Sequence, residues 1–449
     1  MRWLLAVTLL TLSSSLAACG GSRHSVGPAQ AVVRSPPSGF VVQPDISDLT
    51  CNGGRGVSLR AGLGGDAVVA SATMSDGSTW IAFSEIYPGK RFAVLRSVTP
   101  ECAPNLQFGH DGIATIKIAA RLQPGHPAAL GSPADALWVN VVAPRNRGGA
   151  IVAGTYAGEW VVGEVTGSGR VDPAFGKSGW TVLPFRGEVT AAVEERSGRI
   201  LIGGDNGGGG CCTLNWAAAV SARGRLDRGF GRQGRAELPT GEDSGVGSLA
   251  VERNGDILAK VGYGNMGCWG TALAMLTPSG RPVQLFTKRL DRFWHRLGFG
   301  AFVGDVYTDG DGFTLVGTGQ KPCAEGPSFS APSASGLIAR FRVDGEPATR
   351  TIRVPSRLYG TVEAIHDGDE TFVVESPYAD PTRLTITARR ADGSIDSRFG
   401  RNGRASIRTP WRGFNAKFDT GVSIARAGPG AVVIVATRSG RLQLIRVRV

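Results

Sequence analysis

The chain has 449 residues, 49 Lys and Arg against 37 Asp and Glu, and a net charge of +12, with 66 glycines and five histidines. An apolar share of 42% is ordinary for a globular protein, which excludes a disordered chain. Only seven of the basic residues are lysine and the arginines are scattered along the chain. That reads as a solvated basic surface, or as an affinity for anionic envelope polymers or lipid head groups.

Arg2 precedes an apolar run from Trp3 to Leu12 that is too short to span a bilayer as a mature helix, so residues 1–18 read as a signal peptide. The following Leu16-Ala17-Ala18-Cys19-Gly20 resembles the lipobox of bacterial lipoproteins. That resemblance implies lipidation of Cys19 and attachment to the outer side of the cell membrane by its acyl chains, palmitate among them. The expected partners are therefore the membrane, through the anchor, and an envelope glycan or surface protein. Nucleic acid is not expected in that compartment. Residues 19–47, rich in Gly, Ser and Pro, read as a flexible tether.

Self-similarity organises the rest. Val171-Asp172-Pro173-Ala174-Phe175-Gly176-Lys177-Ser178-Gly179 recurs as Leu226-Asp227-Arg228-Gly229-Phe230-Gly231-Arg232-Gln233-Gly234 and as Ile395-Asp396-Ser397-Arg398-Phe399-Gly400-Arg401-Asn402-Gly403, with a shorter form at Leu106-Gln107-Phe108-Gly109. The glycines permit positive φ around a buried aromatic, which accounts for the spacing without a ligand. Tight turns between apolar strands supply a second landmark, at Gly77, Gly149, Gly198, Gly255, Gly312, Gly368 and Gly430. Their spacing accommodates four short strands each.

The alternation of these two landmarks resembles the delta-60 family of bacterial β-propeller repeats, over nearly all of the chain after residue 50. The resemblance implies an all-β fold and an envelope setting but no catalytic residues. The Phe-Gly element is expected to be lost near Gly280 and Gly345. Residues 48–449 are thus expected to form a single seven-bladed β-propeller, with six or eight blades or a parallel β-helix as alternatives. The chain stops after the third-strand pattern Leu442–Arg448, while Val57-Ser58-Leu59 has the fourth-strand pattern, so an N-terminal strand is expected to complete the last blade and close the ring.

Six further cysteines, Cys51, Cys102, Cys211, Cys212, Cys268 and Cys323, suit disulfides in an oxidising compartment. Cys211, Cys212, Cys268 and Cys323 fall between the second and third strands of consecutive units and should share a face. Cys212 with Cys268, Cys211 with Cys323, and a vicinal Cys211-Cys212 bond all stay open, and Cys51 with Cys102 would staple the closure. A vicinal pair also lies against the cofactor in some pyrroloquinoline-quinone dehydrogenases, but their tryptophan docking motif has no counterpart here, so no cofactor is expected. Asp305, Asp309 and Asp311 read as chain-reversing turn residues and not as a calcium loop, no metal site is expected, and the histidines lack a nucleophile context.

The expected function is non-catalytic binding or scaffolding by a monomer, with a propeller-fold glycan hydrolase or lyase as the alternative. Long irregular loops (121–135, 290–302, 317–336, 408–421) are expected around one mouth of the ring. They carry Trp269, Arg292, Trp294, His295, Arg296, Trp411 and Arg412, and aromatics interleaved with Arg suit a glycan or an anionic polymer.

Overall fold

The computed structural model describes residues 57–60, 67–84, 92–100, 103–118, 137–207, 214–238, 245–265, 268–297, 301–308, 312–320, 335–348, 352–354, 362–367, 370–375, 383–390, 394–408, 422–426, 431–438 and 441–448. The chain separates into two units, Met1–Val42 and Gln43–Val449, and every described residue belongs to the second. The signal peptide, Cys19, the tether, Trp411, Arg412 and the cysteines other than Cys268 lie outside the described residues.

The described chain is a run of small antiparallel sheets. Strand β1 (Val57–Arg60) comes first but pairs elsewhere. The first sheet is β2 (Ala67–Thr73), β3 (Thr79–Ser84), β4 (Phe92–Val98) and β5 (Ile113–Lys117). The second is β6 (Leu137–Pro144), β7 (Ala150–Tyr156), β8 (Glu159–Val165) and β9 (Trp180–Arg186), and the third is β10 (Val189–Glu194), β11 (Ile200–Asp205), β12 (Asn215–Val220) and β13 (Arg235–Glu237). The fourth sheet has three strands, β14 (Val246–Val251), β15 (Ile257–Asn265) and β16 (Cys268–Leu276), followed by helix α1 (Gln284–Leu297). Sheet five is β17 (Ala301–Thr308), β18 (Gly312–Gln320), β19 (Ser335–Arg342) and β20 (Ile352–Val354). Sheet six is β21 (Val362–Asp367), β22 (Glu370–Glu375), β23 (Arg383–Arg390) and β24 (Arg404–Arg408). The last joins β25 (Val422–Arg426), β26 (Ala431–Arg438) and β27 (Arg441–Arg448) to β1, with Val57 opposite Leu444 and Arg60 opposite Arg441.

Every pairing between these strands is antiparallel, which rules out the parallel β-helix. The first strands β2, β6, β10, β14, β17, β21 and β25 contact one another in that order, and β25 contacts β2. A register shift recurs in β2, β6, β10 and β14, the local device that adds twist to a strand. This is an all-β, propeller-like build.

Gly77, Gly149, Gly198 and Gly255 lie in connections between first and second strands, while Gly368 and Gly430 lie outside the described residues. Gly77, Gly149, Gly198 and Gly255 take positive φ, whereas Gly312 is the first residue of β18 and does not. Asp305 is no turn residue: it lies mid-strand in β17, opposite Val316. Asp309 and Asp311 lie outside the described residues.

The inner strands of a sheet are largely covered on both faces: all seven residues of β8 are buried, Glu159 and Glu164 among them, whereas β5 alternates between covered and exposed positions. The core is accordingly a series of layers between successive sheets. One joins Trp80, Leu95 and Phe108 to Val139, Val152 and Trp180, and the next joins Ile151, Trp160 and Phe175 to Ile200 and Ile202. The indoles also bond across: Trp180 Nε1 donates to the Lys117 carbonyl at 3.0 Å and Trp160 Nε1 to the Asp205 carbonyl at 3.1 Å.

The repeated Phe-Gly element is the fastening between sheets. It opens as an Asx turn, in which Asp172 Oδ1 accepts from the Ala174 N–H and Asp227 Oδ1 from the Gly229 N–H, each at 3.0 Å. The Phe then enters the layer and the following glycine reverses the chain at φ between 52° and 59° in Gly109, Gly176, Gly231 and Gly400. Its N–H donates to the next sheet: Gly109 to the Ser168 carbonyl (2.9 Å), Gly176 to Arg223 (2.8 Å) and Gly231 to Ser279 (2.8 Å). Each acceptor precedes a glycine on which the aromatic ring rests, for a Cβ added to Gly224 would meet Phe175 Cε1 at 2.7 Å.

Gly224→Ala should therefore unseat Phe175 and strain a backbone held at φ 75°, lowering stability by about 2 kcal/mol or more. Gly167→Ala in the same kind of turn, with open space around it, should stay within about 0.5 kcal/mol. Denaturant titration of both variants checks this, and equal losses would show that the stitch is not what matters.

Candidate functional site

The fourth sheet breaks the pattern, and the reason is local. Phe286 stands six residues after Gly280, as Phe175 stands after Gly169 and Phe230 after Gly224. It is as buried as they are, and it rests on Gly345 of sheet five, where an added Cβ would meet its Cδ2 at 3.0 Å. The Phe-Gly element is absent near Gly280, in that Thr287 stands where its glycine would be, but the aromatic half is kept. Thr287, β-branched, follows Phe286 where the sister elements have a glycine at positive φ, and the opening turn runs on into α1.

Helix α1 replaces a fourth strand. It packs against β16, with Phe286, Leu290 and Phe293 buried among Leu258, Leu273, Met275, Phe313, Leu315 and Phe341. Phe293 meets Phe341 edge-on at 4.8 Å between ring centres, and Phe286 tilts against Phe313 at 5.6 Å. The glycine stitch is replaced as well. Arg289 Nη1 donates to the Asp344 carbonyl at 2.9 Å, the same place before Gly345 that Ser168, Arg223 and Ser279 hold before their glycines. The guanidinium also pairs with the Asp344 carboxylate (2.8 Å) and with Glu346 (3.0 Å). Burial pushes the Asp344 carboxyl up, but the Glu346 N–H and the charges of Arg289 and Arg342 outweigh it and hold its pKa below the usual value.

Arg292, Trp294, His295 and Arg296 are therefore on a helix beside the outermost strand of a sheet and not on an irregular loop at a ring mouth, which corrects the expected position of 290–297. Trp294 is half-buried, edge-on to Phe293 at 5.0 Å, so its indole belongs largely to the packing. Arg292, His295 and Arg296 are exposed, and with Arg289, Asp291 and Glu346 they line a groove of about 480 Å³. Among the described residues no carboxylate comes within ion-pair reach of Arg292 or Arg296; Arg292 Nε donates to the Lys288 carbonyl at 3.4 Å. His295 and Arg296 also sit in the last turn, where positive charge suits the helix dipole. Trp269 is not a loop residue either, but the second residue of β16, opposite Gly264, next to Cys268 opposite Asn265. The 317–336 loop is shorter than expected, as β18 runs to Gln320 and β19 starts at Ser335.

Two carboxylates escaped the sequence reading. Glu188 begins at the edge of β10, and burial, then the charge of Asp205, raises its pKa. Asp205 Oδ1, however, accepts from the N–H groups of Glu188 (3.1 Å) and Gly207 (2.7 Å), which is a backbone-fastening role.

No family model matches the chain, and no curated protein matches it. Solved structures resemble it loosely: the polysaccharide lyase Uly1 over 84% of this chain and 89% of its own, at 10% identity and a TM-score of 0.46. BamB from Moraxella catarrhalis covers 84% and 83% at 11% identity and a TM-score of 0.36, and the WD40 β-propeller domain of Doa1 covers 68% and 91% at 10% and 0.34. Likenesses this distant carry no argument about this chain.

Phe293→Ala should cost about 3 kcal/mol by emptying the layer under α1, whereas Arg296→Ala should stay within about 0.5 kcal/mol. Urea unfolding of both distinguishes a packing residue from one free for a ligand. Asp344, with its folded pKa depressed, contributes stability above the unfolded value near pH 4, and loses it as pH falls through the folded value. The stability gap between the native chain and Arg289→Gln should accordingly be largest at neutral pH and narrow in acid to what the bond to the Asp344 carbonyl contributes; a gap as large at pH 2 as at pH 7 would contradict this role for the pair.

Proposed function

We propose that the chain is a lipid-anchored, extracytoplasmic binding or scaffolding module: a seven-bladed β-propeller of the delta-60 type, held on the outer side of the membrane by lipidated Cys19 and recognising an envelope glycan or surface protein. Seven sheets among the described residues, the sequential contact of their first strands back to β2, and the pairing of β1 with β27 support the blade number and the closure. Disulfides among Cys211, Cys212, Cys268 and Cys323 are supported by sequence position: Cys268 opens β16, and the others fall between β11 and β12 and between β18 and β19, on consecutive sheets.

The observation that carries the binding reading is the exposed basic groove on α1, at the one sheet whose fourth strand is replaced. The Asp205 carboxylate, beside Glu188, accepts from the backbone N–H groups of Glu188 and Gly207, which supports a fastening role for it over a part in hydrolysis. Two measurements test the reading. Cys19→Ser should move the protein from the detergent phase to the aqueous phase on phase partitioning, and no movement would remove the anchor. Immobilised full-length protein should retain a component of solubilised envelope fractions and lose most of it in Arg292→Ala/Arg296→Ala; if nothing is retained, the binding reading falls.

A further inference from the structure

We infer that the groove on α1 takes a linear anionic polymer carrying one oxyanion per repeat unit, laid along the helix on Arg292 and Arg296 in the groove and on Lys288 beside it. This rests on the binding reading above and names the ligand class of that site. The three cations stand at i, i+4 and i+8, one above the next on one helix face and about 6 Å apart along the axis. They form a row, not a convergent cradle, so they suit charges repeated along a chain better than a single small anion. Arg292 and Arg296 offer planar guanidinium forks to oxyanions, in the bidentate geometry that carboxylate and phosphate accept.

The helix is held for the task at both flanks. Its apolar face, Phe286, Leu290 and Phe293, is locked in the layer between sheets four and five, and Arg289 ties it to Asp344 and Glu346. That same burial argues against a lipid surface, since a helix lying in a bilayer interface needs its apolar face free to enter the acyl region. Lys288 and Leu285 are also exposed, Leu285 at 55%, and extend the row with an apolar contact beside the first cation. Asp291 and Glu346 edge the groove and keep it from being a uniform positive field, which disfavours binding at any other angle than along the row.

The test uses full-length protein in detergent, with polygalacturonate and poly(glycerol phosphate) as probes, dextran as the neutral polymer and phosphatidylglycerol vesicles as the lipid surface. At least one charged polymer should bind and dextran should not, and preference between the two tells a uronate from a phosphodiester source. Arg292→Gln/Arg296→Gln should weaken binding by about tenfold or more and reduce the slope of log affinity on log salt by about two. Arg228→Gln/Arg232→Gln, which removes the same charge from exposed positions on sheet three, should change affinity less than about twofold. Equal losses in both pairs, binding to neither polymer, or preference for the vesicles would overturn the inference. If an envelope component is still retained while neither polymer binds, only the polymer class falls; if nothing is retained, the binding reading falls with it.

Discussion

One contact recurs and the rest of the molecule hangs from it: a phenylalanine leaves its own sheet, lies on a glycine of the next, and the following glycine N–H bonds the carbonyl beside that glycine. At Phe108, Phe175 and Phe230 the two halves of this contact fix distance and orientation together. Apolar burial alone would let sheets slide over one another, because it is non-directional. A hydrogen bond from a residue at positive φ is directional, and it sets which turn meets which. The ring side chain supplies the buried area and the N–H supplies the register.

The same constraint explains the exception. Where Thr287 stands in place of the glycine the positive-φ reversal is not made, and the opening turn, closed by the Phe286 N–H on the Val283 carbonyl, runs on into a helix. Phe286 still lies on Gly345, and Arg289 reaches the carbonyl that a glycine N–H would have reached. A charged side chain thus takes over a backbone bond, with the Asp344 and Glu346 carboxylates around it. The substitution leaves a helix, with a basic outer face, where sister sheets present the edge of a strand. The proposed binding groove and the departure from the repeat coincide at this place, in keeping with a local rule broken without loss of the fold.

Buried charge is treated differently. Arg145 at the β6–β7 turn is only 2% exposed, and it approaches Glu164 of its own sheet at 3.7 Å and Glu194 of the next at 3.3 Å. Burial lowers its pKa, and the two carboxylates oppose that shift. Removing one partner would leave a buried ion uncompensated, so the cluster specifies which turn faces which more than it adds stability. Arg147, on the exposed side, pairs with Glu164 and extends the cluster to solvent.

Strand order, the turns at Gly77, Gly149, Gly198 and Gly255 and the four Phe-Gly elements were legible from the amino-acid sequence, because each rests on local chemistry: period-two apolar strands, glycines where φ must be positive, and Asp or Asn opening an Asx turn. Helix α1 was legible in principle, since Phe286, Leu290, Phe293 and Leu297 follow a helical period, but a repeat-based reading expects a strand there and takes the segment for a loop. The tertiary structure decided the rest. That the Phe rings rest on the next sheet and not on their own, and that Arg289 stands in for a glycine N–H, are relations between residues tens of positions apart, and which side chains of α1 are covered follows from the sheets it packs against. Spacing along a chain records which conformations each residue allows; it does not record which carbonyl from a neighbouring sheet will be within reach.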